Sequence, residues 1–227
     1  MVGILETAIR RSNAHKHQQE FLKRLDVKLL QASAGDDGWR IFSLEYIVGP
    51  PLNTVLSSVV MSDYLRIFNF LWRLKRIEYV LSTIWIQQMG NKKAFSALKE
   101  LHSDFQKGNC LRHEMLLFIT NLINYIMVEV IETNWQIFLK EVRKAKHLDE
   151  IIAIHKKMID IMLDKLLLTQ KNESLSKQLS ALFELILKFK QSQDVLYTSA
   201  IEECHRKVLT ISVRLLLPHR ELMNHDH

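Results

Sequence analysis

The chain has 227 residues, and hydrophobic residues occupy 48% of its positions, a composition that indicates a folded globular protein and excludes a disordered one. Only 6 Gly and 3 Pro are present, which favours long helices over sheets and glycine-rich catalytic loops, since these need many turn residues. The net charge of +6 allows nucleic acid, an anionic membrane or an acidic protein as a partner and selects none of them.

The N-terminal quarter of the chain predicts a helix over residues 1–17 and then the only strand-like region. Residues 25–29 and 39–48 alternate apolar with polar side chains on either side of a turn signal, Gly35–Gly38. This pattern is typical of a β-hairpin, whose second strand carries alternate side chains on opposite faces. A lone hairpin is marginal in water, so we expect this one to lie on helices or on a partner.

A proline-containing segment and a long helix follow the hairpin. Gly49–Pro51 ends the second strand, and a short helix is predicted over residues 52–61. Ser62 or Asp63 is expected to cap the next helix, which continues to Met89. That helix is apolar over most of its circumference and is predicted to be buried on several sides. Its aromatic residues are expected in the core, and one polar stripe interrupts it: Arg66, Asn69, Arg73, Arg76, Thr83 and Gln87.

The rest of the chain reads as further helices. We predict one over residues 93–106, ended by Gly108-Asn109, and another from Cys110 to about Lys144, with a break near Thr133-Asn134. Residues 149–168 form an amphipathic helix, and a last one runs from Leu175 to about Leu217. The predicted inward side chains of the amphipathic helix are Ile151, Ile152, Ile154, Met158, Ile161, Met162 and Leu166. The expected fold is an all-α bundle of long antiparallel helices with one small β-hairpin, followed by a polar tail over residues 219–227.

Motifs for catalysis or metal binding are incomplete. His113-Glu114 begins a zinc-protease pattern, but Leu117 stands where the second histidine belongs. Asp160 and Asp164 share a helical face, yet flanking lysines favour i,i+4 ion pairs over a Mg²⁺ site. No nucleotide-binding or nucleophile motif is present. The sequence therefore predicts no enzyme, no metal or cofactor and no small-molecule substrate.

Other partners are constrained by composition. No uninterrupted apolar stretch reaches the ~18–20 residues of a membrane span, so none is expected. Nucleic acid is disfavoured because stacking aromatics are not interleaved with basic residues on an exposed face. Two widely separated cysteines, Cys110 and Cys204, are predicted to be reduced, which fits the cytoplasm.

Two surfaces are candidates for binding a protein. The first is the basic stripe of the long helix, formed by Arg66, Arg73 and Arg76. These arginines either solvate one exposed edge of the helix or dock an acidic partner. The second role is chemically suitable because a guanidinium group binds a carboxylate in a bidentate manner. The segment from Tyr46 to Pro51 either caps the bundle or presents a rigid apolar contact, for which little entropy is lost on binding. The contact candidates are therefore Glu45, Tyr46, Pro50, Pro51, Asn53, Arg66, Arg73 and Arg76.

Several blocks of sequence resemble a known family when they are taken in order. They are Ile9–Ala14, Leu22–Leu30, Gly35–Trp39, Phe42–Leu52 and, above all, Tyr64–Leu81, with a further block at Leu148–His155. Together they resemble the C-terminal part of the gamma-tubulin complex component family, and among its components they are most similar to the third. The resemblance weakens after about Leu175 but covers most of the chain.

This resemblance implies a helical domain with a small β element that binds gamma-tubulin, over residues 1–218 here. Family members stand side by side and hold gamma-tubulins in a ring that templates microtubule growth, without catalysis. The implied partners are gamma-tubulin and other complex components, and the implied location is the cytoplasm, the cytoskeleton and the microtubule-organising centre. Tubulins are acidic as a class, which suits the basic stripe. The alternative is a general helical scaffold or adaptor module.

The chain also departs from the family, because it begins inside the C-terminal domain. The domain that makes lateral contacts between components and the first helices of the tubulin-binding domain are not in the sequence. We therefore expect apolar surface to remain uncovered on the helix over residues 64–89, with a tendency to self-associate.

Overall fold

The computed structural model describes residues 2–12, 22–29, 38–91, 95 and 98–216. Within these ranges the regular secondary structure is helical apart from two strands, which confirms the predicted all-α class with one hairpin. The first helix, α1, spans Val2–Arg11. Its predicted continuation to residue 17 lies outside the described residues, as do the centre of the predicted hairpin turn and the polar tail.

The hairpin consists of β1, Leu25–Leu29, and β2, Phe42–Tyr46, which pair antiparallel with Leu25 opposite Tyr46. A short helix, α2, spans Gly38–Ile41 directly before β2, so the prediction of strand from residue 39 was wrong. Tertiary contacts explain the difference, because the Trp39 carbonyl accepts a 3.0 Å hydrogen bond from Nε1 of Trp72. This bond holds the backbone before β2 against a neighbouring helix.

The long helix α3 spans Ser58–Gly90 and begins one turn earlier than predicted. Oγ of Ser57 accepts a 3.5 Å hydrogen bond from the Val60 amide, so Ser57 caps the N-terminus of the helix. Neither Ser62 nor Asp63 has this role. The predicted short helix over residues 52–61 was also wrong. A single 3-10 turn, Leu52–Thr54, stands there instead.

A 3-10 turn at Lys99–Leu101 leads into α4, His102–Tyr125, a π-helical segment, Ile126–Glu132, and α5, Thr133–Val142. The predicted break near Thr133-Asn134 was therefore wrong, because the chain remains helical there and changes from a π-helical to an α-helical segment. The side chains of Thr133 and Asn134 donate to the carbonyls of Val128, at 2.9 Å, and Val130, at 2.6 Å. These bonds satisfy carbonyl groups at the end of the π segment.

Gly108 lies inside α4 and does not end a helix, contrary to prediction. A Cβ at this position would lie 3.2 Å from Oε1 of Gln193. Gly108 therefore allows Gln193 of the last helix to approach the backbone closely. The glycine that the sequence analysis interpreted as a helix end serves helix packing instead.

The last two helices are α6, Leu148–Lys165, and α7, Glu173–Leu216, close to their predicted bounds. Met158, Met162 and Leu166 of α6 are buried as predicted. The other four predicted inward residues are only half-buried or at the edge. Three further side chains of the same helix are buried and were not predicted: His155, Ile159 and Leu163.

The chain forms two compact units. Unit 1 comprises Met1–Arg76 and Asn121–Leu179, and unit 2 comprises Ile77–Thr120 and Ser180–His227. The core of unit 1 includes Ile67, Leu74, Ile126, Val130, Ile159 and Leu163. The core of unit 2 includes Leu81, Ile84, Phe105, Ile119, Phe183 and Ile186.

Apolar side chains remain exposed on several helices. Tyr79 and Trp85 of α3, which were predicted to be core, are 59% and 43% exposed. This agrees with the expectation that part of α3 would be uncovered. The helix from α4 to α5 exposes still more: Leu117, Phe118, Tyr125, Met127, Val128, Trp135 and Ile137.

By length and composition alone, a stretch within Lys99–Val142 is apolar enough to cross a membrane, with a mean hydropathy of 1.6 over its best window. The sequence analysis expected no span because it asked for an uninterrupted apolar run, whereas this measure allows two charged residues. Only 17% of that window is buried within the chain. Most of that window is therefore exposed in the part of the chain that the structure describes.

Candidate protein-docking site

An aromatic cluster in unit 1 fixes the hairpin onto α3. The ring of Trp72 lies 4.7 Å from that of Trp39 and 4.6 Å from that of Phe42, measured between centroids. Phe68, one turn earlier on α3, lies 6.3 Å from Phe42. Tilted aromatic pairs at these distances stabilise beyond the area that they bury. The cluster therefore anchors the start of β2 against the middle of α3.

Beyond this anchor, the hairpin and α3 diverge and leave a cleft of about 830 Å³. The helical wall of the cleft lies along one side of α3 and consists of Ser58, Met61, Ser62, Tyr64, Leu65 and Phe68. The opposite wall consists of the hairpin and the segment after it: Leu25, Lys28, Ser43, Leu44, Glu45, Tyr46, Ile47, Val48 and Leu56. The volume is that of a pocket or groove able to receive apolar groups from a ligand or partner.

Polar groups stand at the margin of the cleft. Nζ of Lys28 lies 3.3 Å from Oε2 of Glu45, in an ion pair across the two strands, and both side chains are more than half exposed. The pair is diagonal, since Lys28 is opposite Ser43 in the register. An apolar cleft with a charged, solvated rim is the arrangement found at protein–protein contacts.

The segment from Ile47 to Leu56 forms one end of the cleft. Ile47 and Leu52 expose 59% and 51% of their surface. Backbone bonds hold the turn, with the Asn53 amide donating to the Gly49 carbonyl at 3.3 Å and the Leu56 amide to the Leu52 carbonyl at 2.9 Å. The segment thus presents apolar side chains from a hydrogen-bonded turn, which limits the entropy lost on binding.

The eight predicted contact residues all lie in unit 1. Glu45 and Tyr46 line the cleft. Pro50, Pro51 and Asn53 are exposed in the turn beside it. The sequence analysis missed the helical wall, because it began α3 too late to recognise that its first turns face the hairpin.

The predicted arginine stripe is exposed only in part. Arg73 is exposed and Arg76 is half-buried. Arg66 has intramolecular partners, since its guanidinium lies 3.2 Å from Oδ1 of Asp63 and donates to the Leu168 carbonyl. The structure therefore gives Arg66 a role in joining α3 to the loop after α6, while its side chain keeps 48% exposure.

The acidic residues once considered for metal binding are engaged within the chain. Nζ of Lys156 lies 2.9 Å from Asp160 and 3.4 Å from Asp63, so the predicted i,i+4 ion pair is present. Hydrogen bonding to Asp160 is the main cause that raises the pKa of Lys156. Asp164 accepts hydrogen bonds from Thr169, at 3.1 Å, and Asn172, at 2.9 Å. These contacts tie α6 to α3 and to the turn before α7.

A buried histidine also joins α6 to α3. Nε2 of His155 lies 2.9 Å from the Tyr64 hydroxyl, and Phe138 of α5 packs 5.5 Å from the imidazole. Nδ1 of His155 is buried and has no partner among the described residues. Burial lowers the pKa of His155 and raises the pKa of Tyr64. Protonation of His155 would place a charge in this packed space.

This geometry predicts a loss of stability in mild acid. The folded-state pKa of His155 lies below its unfolded value, so the unfolded chain takes up the proton first as the pH falls below about 6.5. The free energy of unfolding should therefore decline from pH 7.5 to pH 5.5. One proton contributes a slope of at most about 1.4 kcal/mol per pH unit.

Urea unfolding at several pH values measures this effect. His155→Gln keeps a side chain able to bond Tyr64 but cannot titrate, so its stability should change less over the same range. His147→Gln, at a side chain that is 72% exposed, is the control and should keep the native slope. Parallel profiles for the native chain and His155→Gln would contradict the prediction.

Comparisons with known proteins identify the family of the chain. A family model described as "Gamma tubulin complex component C-terminal" matches residues 1–222. Gamma-tubulin complex component 3 homolog of Xenopus laevis is 44% identical over 208 residues, which are 92% of this chain and 23% of that protein. Gamma-tubulin complex component 3 of Homo sapiens is 41% identical, with the same coverage of both chains. Spindle pole body component alp6 of Schizosaccharomyces pombe is 35% identical over 94% of this chain and 26% of its own length.

The chain therefore belongs to the gamma-tubulin complex component family, and the family match extends over its helices and hairpin alike. It spans about a quarter of the length of the curated relatives that it matches. The resemblance predicted from the Phe42–Leu52 and Tyr64–Leu81 blocks is confirmed.

Proposed function

We propose that this chain is a non-catalytic, gamma-tubulin-binding subunit of the microtubule-nucleating gamma-tubulin complex. The observation that carries the proposal is the apolar cleft of about 830 Å³ that the described residues of the hairpin and α3 form, beside the exposed turn at Pro50-Pro51. In this account gamma-tubulin inserts apolar side chains into the cleft, and the arginines of α3 attract its acidic surface. The subunit holds gamma-tubulin in the ring from which a microtubule grows.

The printed names of the relatives support the partners and the place of action. Two are gamma-tubulin complex components, and the third is a spindle pole body component. We accordingly propose gamma-tubulin and other complex components as partners, and the cytoplasmic microtubule-organising centre as the location. The proposal concerns the docking of gamma-tubulin, since the chain matches about a quarter of the length of these relatives.

A non-catalytic role is supported by the placement of the reactive side chains. Lys156, Asp160 and Asp164 are joined in ion pairs and hydrogen bonds that connect helices. His155 is packed against Tyr64 and Phe138. These side chains are thus engaged in contacts within the chain, including where Lys156, Asp160 and Asp164 line an open surface pocket.

The electrostatic part of the proposal predicts the effect of charge reversal. The double variant Arg73→Glu/Arg76→Glu should weaken gamma-tubulin binding about tenfold or more at low salt, chiefly through a slower association rate. The difference should shrink as salt is raised, because exposed charges are screened over ~8–10 Å at physiological ionic strength. Surface-immobilised gamma-tubulin gives both rate constants directly.

The control for this pair is Lys140→Glu/Lys171→Glu, which changes the net charge equally at two exposed lysines of the same unit. It should reduce the rate of association far less than the arginine pair. If both pairs have the same effect, only overall charge matters, and the arginines of α3 are not a contact. If the arginine variant has a native helical spectrum and an unchanged affinity, the arginines of α3 are likewise not a contact.

A further inference from the structure

A buried arginine in unit 2 lacks a counter-charge. Arg112 of α4 is only 8% exposed, and its Nε has no hydrogen-bond acceptor among the described residues. No carboxylate of the described residues forms an ion pair with it. Its guanidinium lies instead 4.8 Å from the ring centroid of Trp85 on α3, in a cation–π contact. A buried cation without an anion costs several kcal/mol of stability.

The groups around Arg112 are also incompletely paired. Oε1 of Gln88, one turn from Trp85 on α3, and Oδ1 of Asn109, one turn from Arg112 on α4, are buried and have no hydrogen-bond donor among the described residues. Tyr197 of α7 is 5% exposed, and burial is the main cause that raises its pKa; the charge of Arg112 lowers this pKa and the charge of Asp194 raises it. Three helices of one unit thus contribute buried polar groups near this positive charge, and none of the described carboxylates forms an ion pair with it.

An apolar surface adjoins this cluster. Trp85, which covers the guanidinium, is 43% exposed, and its helical neighbours Ile86 and Met89 are 67% and 39% exposed. Leu111, next to Arg112 on α4, is 48% exposed. A cation enclosed by apolar side chains fits one kind of contact, namely a carboxylate that is itself surrounded by apolar residues. Such desolvated charge pairs contribute strongly to affinity at the centre of an interface.

We propose that Arg112, with Trp85, Ile86, Met89 and Leu111, forms a second docking surface for gamma-tubulin, in which an Asp or Glu carboxylate of gamma-tubulin pairs with the guanidinium. This inference rests on the proposed function for the identity of the partner, and on unit 2 alone for the site. The acidic character of tubulins supplies the complementary charge. Arg112 then lowers the stability of the free chain and becomes paired only in the complex.

The test compares Arg112→Met with the native chain in two measurements. Methionine fills a similar volume without a charge, so the thermal unfolding midpoint should stay the same or rise. Affinity for purified gamma-tubulin should fall at least tenfold, and the loss should persist at 300 mM salt because a buried pair is little screened. Lys107→Met removes the same charge from a side chain that is 74% exposed and should change affinity less than twofold.

Arg112→Lys keeps the positive charge but loses the planar guanidinium group. This second variant keeps the proposal testable if Arg112→Met does not fold. A folded lysine variant should bind between the native chain and Arg112→Met, or as weakly as the latter. Native gamma-tubulin affinity for folded Arg112→Met or Arg112→Lys would overturn this second surface and leave the cleft intact. Failure of the native chain to bind gamma-tubulin would overturn the proposed function itself.

Discussion

Replacing Trp72 with alanine is expected to lower the free energy of unfolding of unit 1 by about 3 kcal/mol and to release the hairpin from α3. The indole contacts Trp39 and Phe42 at once, with ring centroids 4.7 Å and 4.6 Å away. Its N–H also donates to the Trp39 carbonyl at 3.0 Å. A two-stranded hairpin is marginal without a surface to lie on, so removal of this anchor should also open the docking cleft.

Urea unfolding gives the stability change, and amide hydrogen exchange at Phe42–Tyr46 reports on the hairpin. Trp72→Phe keeps an aromatic ring but loses the indole hydrogen bond, so it should cost about 1 kcal/mol and preserve exchange protection. Phe70→Ala on the same helix is half-buried but takes no part in the aromatic pairs described for the hairpin, and it should leave hairpin protection unchanged. Native protection of the strand in Trp72→Ala would contradict the role assigned to the cluster.

Placing a bulky side chain in the cleft should weaken docking strongly while leaving the fold intact. Ser62 is an exposed residue of α3 and lines the cleft, so the indole of Ser62→Trp would occupy space that we assign to gamma-tubulin. We expect the dissociation constant to rise by tenfold or more, through faster dissociation, since interface changes act mainly on that rate. Stability should change by no more than about 0.5 kcal/mol, as for most surface substitutions.

The matched control is Ser174→Trp, an equal substitution at an exposed serine of α7 in the same unit that does not line the cleft. Its affinity should stay close to that of the native chain. Titration of gamma-tubulin against immobilised chain measures all three proteins under one condition. Equal affinity for native protein and Ser62→Trp would show that the cleft stays empty in the complex.

Patterns local to the chain predicted the elements well. The apolar–polar periodicity of α6 identified that helix with nearly correct bounds, and the period-2 alternation identified β2 but began it three residues too early. Errors arose where tertiary contacts override a local signal. Gly108 resembles a helix terminator but admits Gln193, and Trp39 continues an alternating pattern but is held in a helical turn by Trp72.

The candidate site was predictable only in part. Rigidity and charge identified Glu45, Tyr46, Pro50, Pro51 and Asn53 beside the cleft, and these remain predicted contacts. The cleft itself depends on the distance between the hairpin and the first turns of α3, which no pattern in the sequence encodes. Burial of Arg112 likewise depends on three helices that are distant in the chain, so an arginine in an ordinary helical stretch gave no signal.

Selective capture of gamma-tubulin by the isolated 227-residue chain is the most direct test of the central claim. The immobilised chain is offered purified gamma-tubulin and, separately, alpha/beta-tubulin, after circular dichroism has confirmed that it is helical. The account predicts saturable retention of gamma-tubulin and little retention of alpha/beta-tubulin. Equal retention of both tubulins, or of neither by a folded chain, would contradict it.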